Sequence, residues 1–219
     1  LESIFPRAEE SPTVRFPDIS VDPKLRTLFV HKDMTQAYVR MSLPLFSRPH
    51  EDYYPMSLLN HILGGGSFTS RLNKSIRSDA GLTYSIYSSA QSNYTFPGLL
   101  YVSFHTKTET AAKAIRMTLR EVERLLDRGI TDTELAKAKQ VLIDGLPSMF
   151  RAAEDIVEHY AWNEYYGRQP DHFRVYPDKL RAITREEVMA VARKYLKPAE
   201  FSYAIVGDTT ALSRHGSSG

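Results

Sequence analysis

The chain of 219 residues carries seven histidines, His31, His50, His61, His105, His159, His172 and His215, and no cysteine. No two histidines lie three or four positions apart, so no helix presents a histidine pair to zinc. The missing cysteines exclude thiolate catalysis, Cys-ligated zinc and a disulfide framework. The nearest approach to a metal motif is Asp155-Ile156-Val157-Glu158-His159, an inverted zincin pattern with aspartate in place of the first histidine. Its plain reading is a solvated helix face with a partly buried histidine. Gly65-Gly66-Ser67-Phe68-Thr69 is not the Gly-x-Ser-x-Gly of a nucleophile elbow, and no Gly-Lys-Ser/Thr closes the glycines into a phosphate loop. A glycine-rich turn ahead of a helix still exposes N–H groups that can hold an anion or a peptide backbone. Its plain reading is a helix stop.

Arg77 and Tyr84 form a more specific pair. The chain turns at Gly81 and enters a strand at about Tyr84, which can bring guanidinium and phenol together at a helix-to-strand corner. A permanent cation and a phenolic donor suit a carbonyl oxygen that is gaining charge. By alternation, Tyr84, Ile86, Ser88 and Ala90 share one face, so Tyr84 also reads as an aromatic at the core edge. Arg71, Lys74 and Arg77 sit three apart and read as one solvated basic face.

The elements that position these residues follow from periodicity. Thr27–His31 and Thr35–Leu45 read as strands, with Lys32-Asp33-Met34 as a hairpin connection. From about Asp52, Met56, Leu58, Leu59, Ile62 and Leu63 give a helical stripe that the glycine triplet ends through a left-handed conformation. Ser67 is expected to cap a short helix from Phe68 to Arg77. Tyr84–Ala90 and Leu99–His105 are strands. Thr108 is an N-cap candidate for the helix carrying Ala112, Ile115, Leu119, Val122 and Leu126. Thr131 with Glu134 and Thr184 with Glu187 make capping boxes for two more helices, and a fourth runs from about Met149 to Tyr166. Phe201–Val206 is the last strand. The expected fold class is α+β: a largely antiparallel sheet of about four to six strands with helices on one face. Residues 1–24, with four prolines, read as a lead-in or interdomain linker, 25–208 as one domain and 209–219 as a tail.

Lys and Arg number 28 against 26 Asp and Glu, a net charge of +2, too even for a protein devoted to a phosphate backbone. No run approaches the ~20 apolar residues of a membrane span. The chain starts without methionine, consistent with processing or with a piece of a longer protein.

The stretch Leu63-Gly64-Gly65-Gly66-Ser67-Phe68-Thr69-Ser70-Arg71-Leu72, running on through Arg77 to Gly81-Leu82-Thr83-Tyr84, resembles the C-terminal half of the insulinase-type (M16) zinc metallopeptidases, the family of pitrilysin and the mitochondrial processing peptidase. The likeness extends from about Thr27 to Asp208. The resemblance implies two similar halves around a chamber. One half binds zinc through His-x-x-Glu-His; the other is metal-free and supplies an arginine and a tyrosine. Arg77 and Tyr84 match that pair, and Gly64, Gly65, Gly66 and Ser67 match a substrate-contacting loop, shorter here. At the position of the zinc motif the chain reads Ser57-Leu58-Leu59-Asn60-His61. Serine and a neutral amide supply neither the ligand nor the general base. The resemblance therefore implies no cofactor in this chain, inactivity alone, zinc in a partner half in the same parent chain or a paired subunit, and a peptide substrate. It leaves room for a dimer, a bacterial source, and a periplasmic or cytoplasmic setting. The alternative is a non-enzymatic scaffold or interaction subunit of the same fold.

Overall fold

The computed structural model describes residues 27–208 apart from 170; the lead-in over 1–24 and the tail over 209–219 lie outside the described residues. Five strands form one sheet: β1 (Thr27–His31), β2 (Gln36–Leu45), β3 (Ile86–Gln91), β4 (Gly98–Lys107) and β5 (Ser202–Gly207), in the order β1-β5-β2-β4-β3. β2 runs antiparallel to β4, from Gln36 opposite Lys107 to Leu45 opposite Gly98. β3 also pairs antiparallel with β4, and β5 with β2. The remaining pair, β1 with β5, is parallel. The hairpin expected between β1 and β2 is thus replaced by a wider connection. β5 slots between them, and the Lys32 N–H donates to the Gly207 carbonyl at 2.9 Å. Two strand spacings are about 10 Å, a gap that the short connection spans when extended.

Alternation places Ala37, Val39, Met41, Leu43 and Leu45 of β2, with Leu100, Val102 and Phe104 of β4, in the core. Helices cover that face. α1 (Tyr53–Asn60) contributes Met56, Leu58 and Leu59, α2 (Ala111–Arg128) contributes Ala114, Val122 and Leu125, and α6 (Arg185–Tyr195) contributes Val188, Val191 and Ala192. Each large apolar side chain buried this way is worth about 1.5–3 kcal/mol. The opposite face leaves Gln36, Tyr38 and Arg40 of β2, Tyr87 of β3, and His105 and Lys107 of β4 exposed.

Both capping boxes form. Thr131 Oγ1 accepts the Glu134 N–H at 3.1 Å while Glu134 accepts the Thr131 N–H at 2.7 Å, opening α3 (Asp132–Gly145). Thr184 and Glu187 repeat the exchange at 3.2 and 2.6 Å. Thr108 does not cap α2; it enters a 3-10 turn and its hydroxyl points to the Met34 carbonyl. After α3, Pro147 lies in a 3-10 turn before α4 (Ala153–Tyr165). A further helix, α5 (His172–Ala182), has no counterpart in the sequence reading. Pro177 sits inside it, and among its residues only Leu180 is fully buried, so the apolar period is faint.

The glycine triplet departs from expectation. α1 widens into a π-type turn over His61–Gly65, and Gly66 has φ −83°. None of the three glycines is left-handed; Ser67, with φ 51°, takes that conformation. Glycine is required for close approach instead. A Cβ on Gly64 would lie 2.5 Å from the Ser88 backbone nitrogen, and one on Gly66 2.6 Å from the His61 carbonyl oxygen. The expected Phe68–Arg77 helix is likewise divided. A 3-10 turn over Ser67–Thr69 breaks at the extended Ser70, and a second wide turn covers Asn73–Asp79.

The Arg71–Lys74–Arg77 face does not form as a solvated stripe. Arg71 turns inward: its Nε and Nη2 donate to the two Glu134 carboxylate oxygens at 2.6 and 2.8 Å, and Nη2 also reaches the Gly129 carbonyl at 2.8 Å. This knot fastens the segment after the glycines to the α2–α3 corner, where Gly129 turns with φ 73°. Burial alone would raise the Glu134 pKa. The hydrogen bonds from Arg71 and the Thr131 backbone outweigh it, and the carboxyl is pushed down to about 2.

Two stability predictions result. Gly64→Ala and Gly66→Ala each lower unfolding free energy by about 1–3 kcal/mol, because backbone must move. Gly145→Ala, with nothing within 4 Å of its Cβ position, is neutral or stabilising by up to about 1 kcal/mol. Urea titration of the three variants measures both. Glu134→Gln weakens the knot by about 1–2 kcal/mol at pH 7. Since folding lowers the Glu134 pKa from its ordinary 4.5 to about 2, that difference is fully present above about pH 4.5. It fades as pH falls from there toward 2, which paired wild-type and variant denaturation curves at stepped pH record.

Candidate functional site

Where the uncovered sheet face meets the turn after Asp79, a hollow of about 820 Å³ opens. Arg77, Tyr84, Ser85, His105 and Lys107 are among its lining residues. Arg77 and Tyr84, anticipated as a pair, thus share one concavity. Tyr84 is 89% exposed, because β3 begins only at Ile86 and leaves it ahead of the strand. It is therefore not an aromatic of the core edge.

Its backbone is nonetheless tied on both sides. The Thr106 hydroxyl donates to the Leu82 carbonyl at 2.6 Å, and the Thr83 hydroxyl bonds to the carbonyls of His105 and Ser85. The Leu82 N–H reaches Ile76 at 3.1 Å. Asn73, nearly buried, donates to the Ile86 carbonyl at 2.7 Å and to Ser70 Oγ at 3.2 Å. Sequence reasoning missed Asn73, Thr83 and Thr106 as positioning residues. The available signal was polar residues at core-facing positions, Thr106 on the buried side of β4 above all.

Arg77 is half-buried, and its guanidinium carbon lies 4.4 Å from the centroid of the Phe68 ring. Phe68 stands 68% exposed at the end of the glycine loop. The loop and the hollow are thereby joined by a cation–π contact. Of the loop residues singled out from sequence, Gly65 and Ser67 are exposed, whereas Gly64 and Gly66 are buried.

The residues at the zinc-motif position do not fit a metal. The Ser57 hydroxyl donates to the Tyr53 carbonyl at 2.8 Å, inside α1. Asn60 Oδ1 accepts from Ser88 Oγ at 2.8 Å. His61 is half-buried, and burial lowers its pKa. One imidazole beside a serine and an amide is not a zinc donor set. The Asp155–His159 motif is dispersed as well: Asp155 accepts from the Ala152 N–H at 3.1 Å, Glu158 accepts from Trp162, and His159 packs between Phe150 and Phe173. Among the described residues no group of three or more His, Asp or Glu converges to hold a metal ion. No helix among the described residues is long and apolar enough to cross a membrane.

Comparison with known proteins agrees with this architecture. The family model described as the peptidase M16 inactive domain matches residues 2–142. An uncharacterised zinc protease of Mycobacterium tuberculosis is 32% identical over 185 residues, covering 83% of this chain and 41% of the relative. A Helicobacter pylori protein named a non-peptidase homologue is 25% identical over 182 residues, covering 82% of this chain and 41% of that protein. The crystal structure of a peptidase M16 inactive domain from Pseudomonas fluorescens superposes with a TM-score of 0.81 at 24% identity, over 90% of this chain and 47% of that one. The chain therefore spans less than half the length of these relatives. With its five-stranded mixed sheet and a zinc-motif position that carries no ligand set, the chain belongs to the peptidase M16 family and matches its inactive domain.

Proposed function

We propose that this chain is the metal-free half of an M16-type zinc endopeptidase, presenting Tyr84 and Arg77 to a peptide held against a catalytic half. The observation that carries the reading is their meeting in one hollow, with Tyr84 open to solvent on a backbone tied to β4. A phenol carried on a tethered backbone donates its O–H to a peptide carbonyl oxygen as that oxygen gains charge. Arg77, a permanent cation beside it, orients the substrate backbone. Exposed Gly65 and Ser67, next to Phe68, offer a contact line for an extended chain. The partner half, in the same parent chain or a paired subunit, contributes zinc and the base that activates water. The names of the bacterial relatives, zinc proteases among them, support this arrangement and a bacterial source.

A second reading is a non-enzymatic scaffold of the same fold, favoured by the Helicobacter pylori relative named a non-peptidase homologue. Turnover decides between them. In a complex reconstituted with a half carrying His-x-x-Glu-His, Tyr84→Phe and Arg77→Ala each lower kcat by about 100-fold or more. Circular dichroism and thermal melting stay unchanged for Tyr84→Phe, as Tyr84 is exposed. Turnover within about threefold of wild type in both variants removes the assigned roles, and no turnover of the wild-type complex at all leaves the scaffold.

A further inference from the structure

We infer that the hollow beside Tyr84 selects peptides carrying a carboxylate close to the bond that Tyr84 addresses; this rests on the reading above and specifies its substrate class. Twelve residues line the hollow; among them Arg77 and Lys107 are basic, His105 adds an imidazole, and none is Asp or Glu. The nearest acids in sequence, Asp79 and Glu109, do not line it. This asymmetry is local, since the whole chain is almost balanced at 28 basic against 26 acidic residues.

The cations are also uncommitted. Several other arginines are paired with a carboxylate, Arg71 with Glu134, Arg124 with Glu121, Arg174 with Asp171 and Arg181 with Asp178, while Arg40, Arg48 and Arg168 lie over tyrosine rings. Arg77 and Lys107 have no carboxylate partner among the described residues. Arg77 rests instead on the Phe68 ring, which leaves the edge of its guanidinium fork available. Lys107 closes β4 on the uncovered face of the sheet, opposite Gln36, and is exposed. Two like charges facing one concavity repel each other, and an anion between them relieves that repulsion. On a peptide the available anions are an acidic side chain and the terminal carboxylate.

The test uses the 219-residue chain and three dye-labelled octapeptides of Gly, Ser and Ala, read by fluorescence anisotropy. One has a central Glu and an amidated C-terminus, the second has Gln in its place, and the third is the Gln peptide with a free C-terminal carboxylate. At low salt the Glu peptide binds about fivefold more tightly than the amidated Gln peptide, the worth of an exposed ion pair, and the difference shrinks at 0.5 M salt. If the free-carboxylate peptide gains as much, the terminal carboxylate is the recognised source; if only the Glu peptide gains, the side chain is. Lys107→Gln narrows the advantage to about twofold. Equal affinity of all three peptides, including no binding by any, overturns the inference, as does an advantage that Lys107→Gln leaves intact. A Tyr84→Phe loss of turnover alongside equal peptide affinities removes only charge selection. Charge selection with a harmless Tyr84→Phe removes only the transition-state role.

Discussion

Two threonine hydroxyls on and beside β4 hold the segment that leads into β3. Thr106 donates to the Leu82 carbonyl and Thr83 to the His105 carbonyl, so each hydroxyl ties the backbone of this segment to that of β4. The consequence is geometric. Tyr84 is free of packing on its ring yet attached to backbone that cannot drift from the sheet. For the donor role proposed above, only the side chain and not its backbone is left to be ordered when the charge arrives.

The same economy runs through the glycine turn. Gly64 lets the end of α1 press on β3 until its backbone meets that of Ser88, and this contact is what allows Asn60 to bond to Ser88. The amide of Asn60 is thereby occupied inside the protein, and Ser57 spends its hydroxyl on its own helix. Asn60 thus helps to hold the glycine turn against the sheet, while Ser57 stays bonded within α1. The segment at the zinc-motif position and the glycine turn are thus packed as one unit.

Much of this was legible before any coordinates. All five strands were read from the sequence, β2 by its alternation and β1 as a short apolar run, and the Thr-x-x-Glu pairs marked two helix starts, because these signals are local and need no tertiary partner. What escaped depends on neighbours distant in sequence. β5 inserts beside β1, and nothing in Lys32-Asp33-Met34 discloses a strand that arrives about 170 residues later. Arg71 reads as a surface cation until Glu134 is placed beside it. The glycines advertise freedom of φ, yet the structure uses their missing side chains. For the candidate site, Arg77 and Tyr84 were visible through spacing and family likeness, whereas Lys107 and His105 join them only through the pairing of β4.

The cation–π contact of Arg77 on Phe68 links the hollow to the glycine turn, the two places that the proposed function assigns to a bound peptide. Moving the glycine turn drags the ring, and the ring carries the guanidinium with it. On the proposed function, any coupling between the two places would run through this contact. The strength of that cross-talk is bounded by the contact itself, about 0.5–1 kcal/mol at an exposed position, or roughly a two- to fivefold change in affinity. On that reading, an extended peptide that spans both would meet one weakly coupled surface.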